Sequence, residues 1–142
     1  MRVETILNVK GRSVVTIEDG CTLREAAQAL DANAIGALVV VDPTGRPIAV
    51  LTERDIVREL AMHGRASLNR TVANATTPAF VTAAPDDTVE DIMMRMTDRR
   101  VRHLPVLAGR ELVGIVSIGD AVKAKMEAVE AQTAAMREYI LS

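Results

Sequence analysis

The chain has 142 residues, a formal net charge of −2 and an isoelectric point near 5.7, so no global field draws it to nucleic acid or to an anionic membrane. Hydrophobic residues make up 49%, enough for a core, but aromatics only 1%, which argues against reading single-stranded nucleic acid by stacked rings. The single cysteine, Cys21, excludes an internal disulfide, and no Cys/His cluster has metal-ligand spacing.

Residues 1–12 carry a short apolar patch (Val3, Ile6, Leu7, Val9) and read as an arm covering one edge of a core. Ser13–Ile17 reads as a strand, closed by the turn signal Asp19-Gly20. Thr22 followed by Glu25 is a capping box, and Leu23, Ala26, Ala27 and Leu30 recur at helical spacing, so a helix is expected to about Asn33. Gly36–Val41 is a continuous apolar run, as in a strand buried on both faces. Asp42-Pro43-Thr44-Gly45 fits a type I turn, Ile48–Leu51 returns as the hairpin partner, and a helix follows over Glu53–Met62 with Gly64 as its stop.

Polar, turn-prone residues 65–77 read as a linker, and the order then repeats. Phe80–Ala83 is expected as a strand, Thr88–Arg99 as a helix with Ile92, Met93 and Met96 inward, and Arg102–Leu107 and Leu112–Val116 as paired strands. A last helix begins after Ser117. Val15-Thr16 with Thr22-Leu23-Arg24-Glu25 recurs 66 residues later as Val81-Thr82 with Thr88-Val89-Glu90-Asp91. Val50 to Val57 recurs 65 residues later as Ile115 to Val122. The near-constant offset marks a duplication, and copies this short are expected to pack face to face, with function in the cleft between them. The last helix also carries Val122, Met126, Val129, Thr133, Met136 and Ile140 at alternating spacings of four and three. That stripe either caps the domain core or forms a dimer seam, the reading slightly favoured here.

Each copy places a hydroxyl residue at a strand end and an Asp three residues on: Thr52/Asp55 and Ser117/Asp120. Such a pair also caps a helix and needs no ligand to explain it. Its place at the carboxyl end of a buried strand supplies the other reading. There a carboxylate can accept two bonds from a vicinal diol such as ribose, while the hydroxyl and helix N–H groups meet phosphate oxygens. Arg95 and Arg99 read as solvated on one helix face. Arg102 and His103 open a strand, where an Arg is costly to bury unless it meets an anion, either an acidic side chain or a phosphate.

These motifs resemble the tandem CBS-domain pair, or Bateman module. Ile35 to Asp42 and Val101 to Leu107 look like its central strand motif; Ala49 to Asp55 and Gly114 to Asp120 look like its closing strand-to-helix motif. The resemblance covers residues 13 to about 126 and is nearest to small stand-alone bacterial members. It implies an α/β (α+β) fold of two pseudo-symmetric β-α-β-β-α units packed sheet to sheet, with an extended C-terminal helix. The expected division is an arm over 1–12, repeat one over 13–64, a linker over 65–77, repeat two over 78–126 and a helical extension over 127–142.

The resemblance further implies an adenosine-containing ligand, AMP or NAD, with ATP or ADP as options, and no obligatory cofactor. Asp55 and Asp120 match ribose-binding aspartates, and Thr52 and Ser117 match hydroxyls near the phosphates. Arg102 and His103 match phosphate contacts, with Pro105 in the same motif, and Thr16-Ile17 and Thr82-Ala83 match the strand beside the adenine. Arg54 adds a cation in copy one, where copy two has Gly119, and Gly36-Ala37 stand where copy two has Arg102-His103. Two unequal sites are therefore expected.

The function expected is a non-catalytic, homodimeric sensor of energy or redox state, acting on an unidentified effector protein. The alternative is a ligand-free interaction module with degenerate clefts. No P-loop, nucleophile–base pair or metal cluster suggests an enzyme, and no basic recognition helix suggests DNA binding. With no apolar run of about 18 residues and no signal-peptide pattern, a cytoplasmic protein without membrane contact is expected.

Overall fold

Four helices begin on the same local device. In the computed structural model, which describes residues 1–76 and 80–142, Thr22, Thr52, Thr88 and Ser117 sit in extended backbone. The side-chain oxygen of each accepts the N–H three residues on, while Glu25, Asp55, Asp91 and Asp120 accept the N–H of the cap residue in return. Each box satisfies two of the N–H groups that a helix start leaves unpaired.

In chain order the elements are α1 (Val3–Lys10), β1 (Thr16–Glu18), α2 (Leu23–Asn33), β2 (Ala37–Val41), β3 (Pro47–Thr52) and α3 (Glu53–His63). A 3-10 stretch (Gly64–Asn69) and α4 (Val72–Ala75) follow, then α5 (Val89–Arg99), β4 (His103–Ala108), β5 (Glu111–Ser117) and α6 (Ile118–Leu141). Residue 77 of the expected linker and residues 78 and 79 of the expected second repeat lie outside the described residues. The chain divides into two units: Ser13–Val81, and Met1–Arg12 with Thr82–Ser142.

In the contiguous unit, β1 runs parallel to β2, with Ile17 opposite Val40, and β3 returns antiparallel, with Leu51 opposite Leu38. The first four residues of β2 are buried, as its unbroken apolar run requires. Leu23, Leu30, Leu38, Val40, Leu51 and Ile56 form the core. Residues 64–75 do more than connect, because Val72 and Ala75 are buried in that core and Ser67 is buried beside it. The buried carboxylate of Glu59 on α3 meets Arg70 at 3.0 Å, tying this segment to the helix.

The other unit repeats the plan around α5, β4, β5 and α6. Leu38 and Leu104, Val40 and Val106, and Leu51 and Val116 are equivalent positions, all fully buried. The strand expected over Phe80–Ala83 is only a bridge, in which Ala83 pairs in parallel with Val106. Its N–H donates to the Pro105 carbonyl and its own carbonyl accepts from Leu107. The ladder stops there because Pro105 has no N–H to extend it, where its counterpart Val39 donates to Val15 O (3.2 Å), and because the chain turns at Ala84–Asp87. The first expected strand is likewise short and displaced, Thr16–Glu18 instead of Ser13–Ile17.

The arm of residues 1–12 is a helix with a definite seat. Val3 N donates to Asp87 O (2.9 Å), Val89 N to Met1 O (3.0 Å), and Val3, Ile6 and Leu7 are buried. The same pattern recurs in the other unit, where Val72 N donates to Cys21 O (2.8 Å) and Leu23 N to Arg70 O (2.9 Å). The segment ahead of each repeat thus docks onto the other repeat. Gly114 has its explanation here. A Cβ on it would lie 2.6 Å from Leu7 Cδ2, so the closing strand of this unit needs a glycine where its counterpart carries Ala49.

Along α6 the residues facing the core are Ala121 and Ala124. Val122, Met126, Val129, Met136 and Ile140 are exposed, so the stripe does not cap this unit's own core.

Candidate functional site

The four capping boxes share one geometry but not one environment. Glu25 and Asp91, on α2 and α5, are exposed, bond their cap residues, and among the described residues form no ion pair. Asp55 and Asp120 are half-buried, with side chains 14% and 23% exposed, and each carries a cation that a cap does not need. Position explains the difference. α3 and α6 start directly from the strand ends of β3 and β5, and each start is stapled to the sheet. Glu53 N donates to Gly36 O (3.1 Å) and Ile118 N to Arg102 O (2.9 Å).

At Asp55, Oδ2 accepts from Thr52 N (2.8 Å) and Thr52 Oγ1 (3.1 Å), and Oδ1 accepts from Arg58 at 2.7 Å. At Asp120, Oδ2 accepts from Ser117 N (2.9 Å) and from Lys10 Nζ (2.6 Å), and Lys10 also donates to Ile115 O (2.9 Å). Burial alone raises the carboxyl of Asp120. The bonds from Lys10 and Ser117, with the charge of Lys10, outweigh it and hold the group below the usual carboxylate range. Lys10 and Arg58 are the residues that sequence reasoning missed. Arg58 lies three positions beyond Asp55 on a helix, a spacing that signals an ion pair. Lys10 lies 110 positions from Asp120, and no local pattern connects them.

Around Ser117 and Asp120 the fold gathers His103, whose strand register places it opposite Ser117, and Arg102 just before it. Arg102 is exposed and precedes β4, so the cost of burying its charge does not arise, and among the described residues it forms no ion pair. Arg95, expected to be solvated, instead bonds Asp87 at 2.8 Å. In the other unit Thr16 and Arg54 are exposed beside the buried Ile17 and half-buried Thr52 and Asp55. Ile17 and Ala83 turn their side chains into the cores, so they can offer a ligand only backbone and edge contacts, and Pro105 is buried between the core residues Leu104 and Val106 of β4. Thr82 is half-buried, its carbonyl held by Arg95. Among the described residues no group of His, Cys, Asp and Glu could hold a metal ion.

The CBS domain family matches residues 8–62 and again residues 72–127. A mitochondrial CBS domain-containing protein of Arabidopsis thaliana is 31% identical over 148 residues, spanning 97% of this chain and 71% of its own. The crystal structure of a CBS-domain containing protein from Agrobacterium tumefaciens superposes with a TM-score of 0.84 at 43% identity, covering 87% of this chain and 92% of the other. A CBS domain protein from Pyrobaculum aerophilum, solved in complex with AMP, superposes with a TM-score of 0.75 at 30% identity, covering 84% and 89%.

Proposed function

The chain belongs to the CBS family as a tandem pair of domains, and from that premise we propose that it is a non-catalytic, homodimeric regulatory module. It binds an adenosine nucleotide, AMP or NAD with ATP and ADP as further options, and reports energy or redox state to an effector protein from the cytoplasm. Asp55 and Asp120 take the ribose hydroxyls, Thr52 and Ser117 lie toward the phosphates, and the backbone at Thr16-Ile17 and Thr82-Ala83 edges the adenine. Arg54, Arg102 and His103 supply charge and hydrogen bonds for the phosphates, and buried Pro105 shapes the strand beneath them.

One observation carries this reading. Of four boxes with the same capping geometry, the two at the strand ends are half-buried and cation-paired, and the other two are exposed and meet no cation among the described residues. A cap alone gives no reason for that split, whereas a site for a polar, anionic ligand does. A relative solved with AMP supports the ligand class. No helix among the described residues is long and apolar enough to cross a membrane.

Calorimetric titration of the purified chain with AMP and NAD tests it, with two variants beside the parent. Asp120→Ala removes a charge-assisted pair of acceptors and is expected to weaken binding roughly 10- to 100-fold. Asp91→Ala removes an equivalent helix cap and is expected to lower stability by about 1 kcal/mol without touching affinity. Equal affinity for the parent and Asp120→Ala, with stability lowered in both variants, reduces Asp120 to a cap and sinks the assignment.

A further inference from the structure

We propose that Lys10 is the residue by which the second repeat distinguishes a phosphorylated adenosine ligand from the bare nucleoside, an inference that rests on the nucleotide reading above. Lys10 is not a loose surface lysine. It closes the last turn of α1, a helix held at its far end by the Val3–Asp87, Glu4–Pro85 and Val89–Met1 backbone bonds. Midway, Leu7 is buried against Gly114. Two of the three ammonium donors are then used, one on Asp120 Oδ2 at 2.6 Å and one on Ile115 O at 2.9 Å. The side chain is still 35% exposed, so the third donor is open to a ligand.

Acceptor geometry decides what that donor is for. Asp120 Oδ2 is filled by Ser117 N and Lys10, whereas Oδ1 accepts no hydrogen bond among the described residues. A ribose hydroxyl can therefore bond Oδ1 while Lys10 stays in place. The phosphate of a 5′-nucleotide, carried on the same ribose, then meets a fixed ammonium instead of an uncompensated carboxylate. Without Lys10, Asp120 presents its full negative charge to that phosphate. A nucleoside brings no anion and gains nothing from the lysine. It meets only a carboxylate whose acceptor strength is already partly spent on a cation. Lys10 thus separates the two ligands by raising affinity for one and slightly lowering it for the other.

Titration of the full chain with AMP and with adenosine, for the parent, Lys10→Met and Lys10→Gln, tests this. Methionine keeps the length and apolar stem of the lysine, and the glutamine variant carries the comparison should the first fail to fold. Melting without ligand monitors the docking of α1 in both. The expected result is a loss of about tenfold or more for AMP, the worth of one charge-assisted hydrogen bond, with adenosine unchanged or bound slightly more tightly. Unchanged or tighter AMP binding would make Lys10 a competitor for Asp120 and overturn the proposal. Equal losses for both ligands would make it a support for α1 only, and also overturn it. A parent protein that binds neither ligand brings down the nucleotide reading itself, and this proposal with it.

Discussion

Asp87 and Asp120 show how single side chains tune this fold, each resisting burial through a basic partner. Burial pushes the carboxyl of Asp87 up, but the Arg95 guanidinium at 2.8 Å and the Ala84 N–H prevail and hold it below its ordinary value. A carboxyl with a folded pKa below its unfolded one contributes stability that is complete above the unfolded value, about 4, and lost as pH falls through the folded value. Urea midpoints should therefore be flat from pH 7 to about pH 5 and fall steeply below about pH 4. Asp87→Asn, which lies outside the candidate site, should make that fall shallower, and an unaltered slope would deny the Asp87–Arg95 pair its role. The four boxes were legible from sequence because a cap is a property of four consecutive residues. The Lys10–Asp120 contact was not, since it depends on where a docked helix ends.

The duplication was equally plain at the level of elements, because hydrophobic period and capping together mark where helices and strands alternate. Two elements departed from the pattern for tertiary reasons. The strand before α5 shrank to one bridge because Pro105, standing where the other unit has Val39, has no N–H to extend the ladder, and residues 65–75 of the expected linker 65–77, polar enough to read as one, placed Val72 and Ala75 in a core. The kinship of α1 and the short α4 was hidden because they share a docking pattern but little sequence. Gly114 records that docking. Gly114→Ala sets a methyl 2.6 Å from Leu7 Cδ2 and should cost about 1–3 kcal/mol, as overpacking does. The double variant Leu7→Ala/Gly114→Ala should lose less than the sum of the two singles. Strict additivity in denaturant titrations would show that the two sites do not meet.

At the scale of the whole molecule, α6 offers more apolar surface than its own unit uses, with Met126 59%, Met136 65% and Ile140 74% exposed. Ile118, Val122 and Met126 line an open hollow of about 530 Å³, bordered by Lys123, Glu127 and Glu130. Charges of both signs along one helix suit a second copy of the same helix, as the proposed homodimer requires. The full chain should scatter light as a dimer at micromolar concentration, and truncation after Lys125 should shift it toward monomer. A full-length monomer ends that idea. The seating of α1 has a consequence for how the protein is made. Residues 13–81 are contiguous and can condense as soon as they leave the ribosome, but residues 1–12, made before them, belong with residues 82–142, made after them. Val3, Ile6 and Leu7 find their cover only once β5 and α6 emerge, so for this segment the order of translation and the order of assembly run in opposite directions.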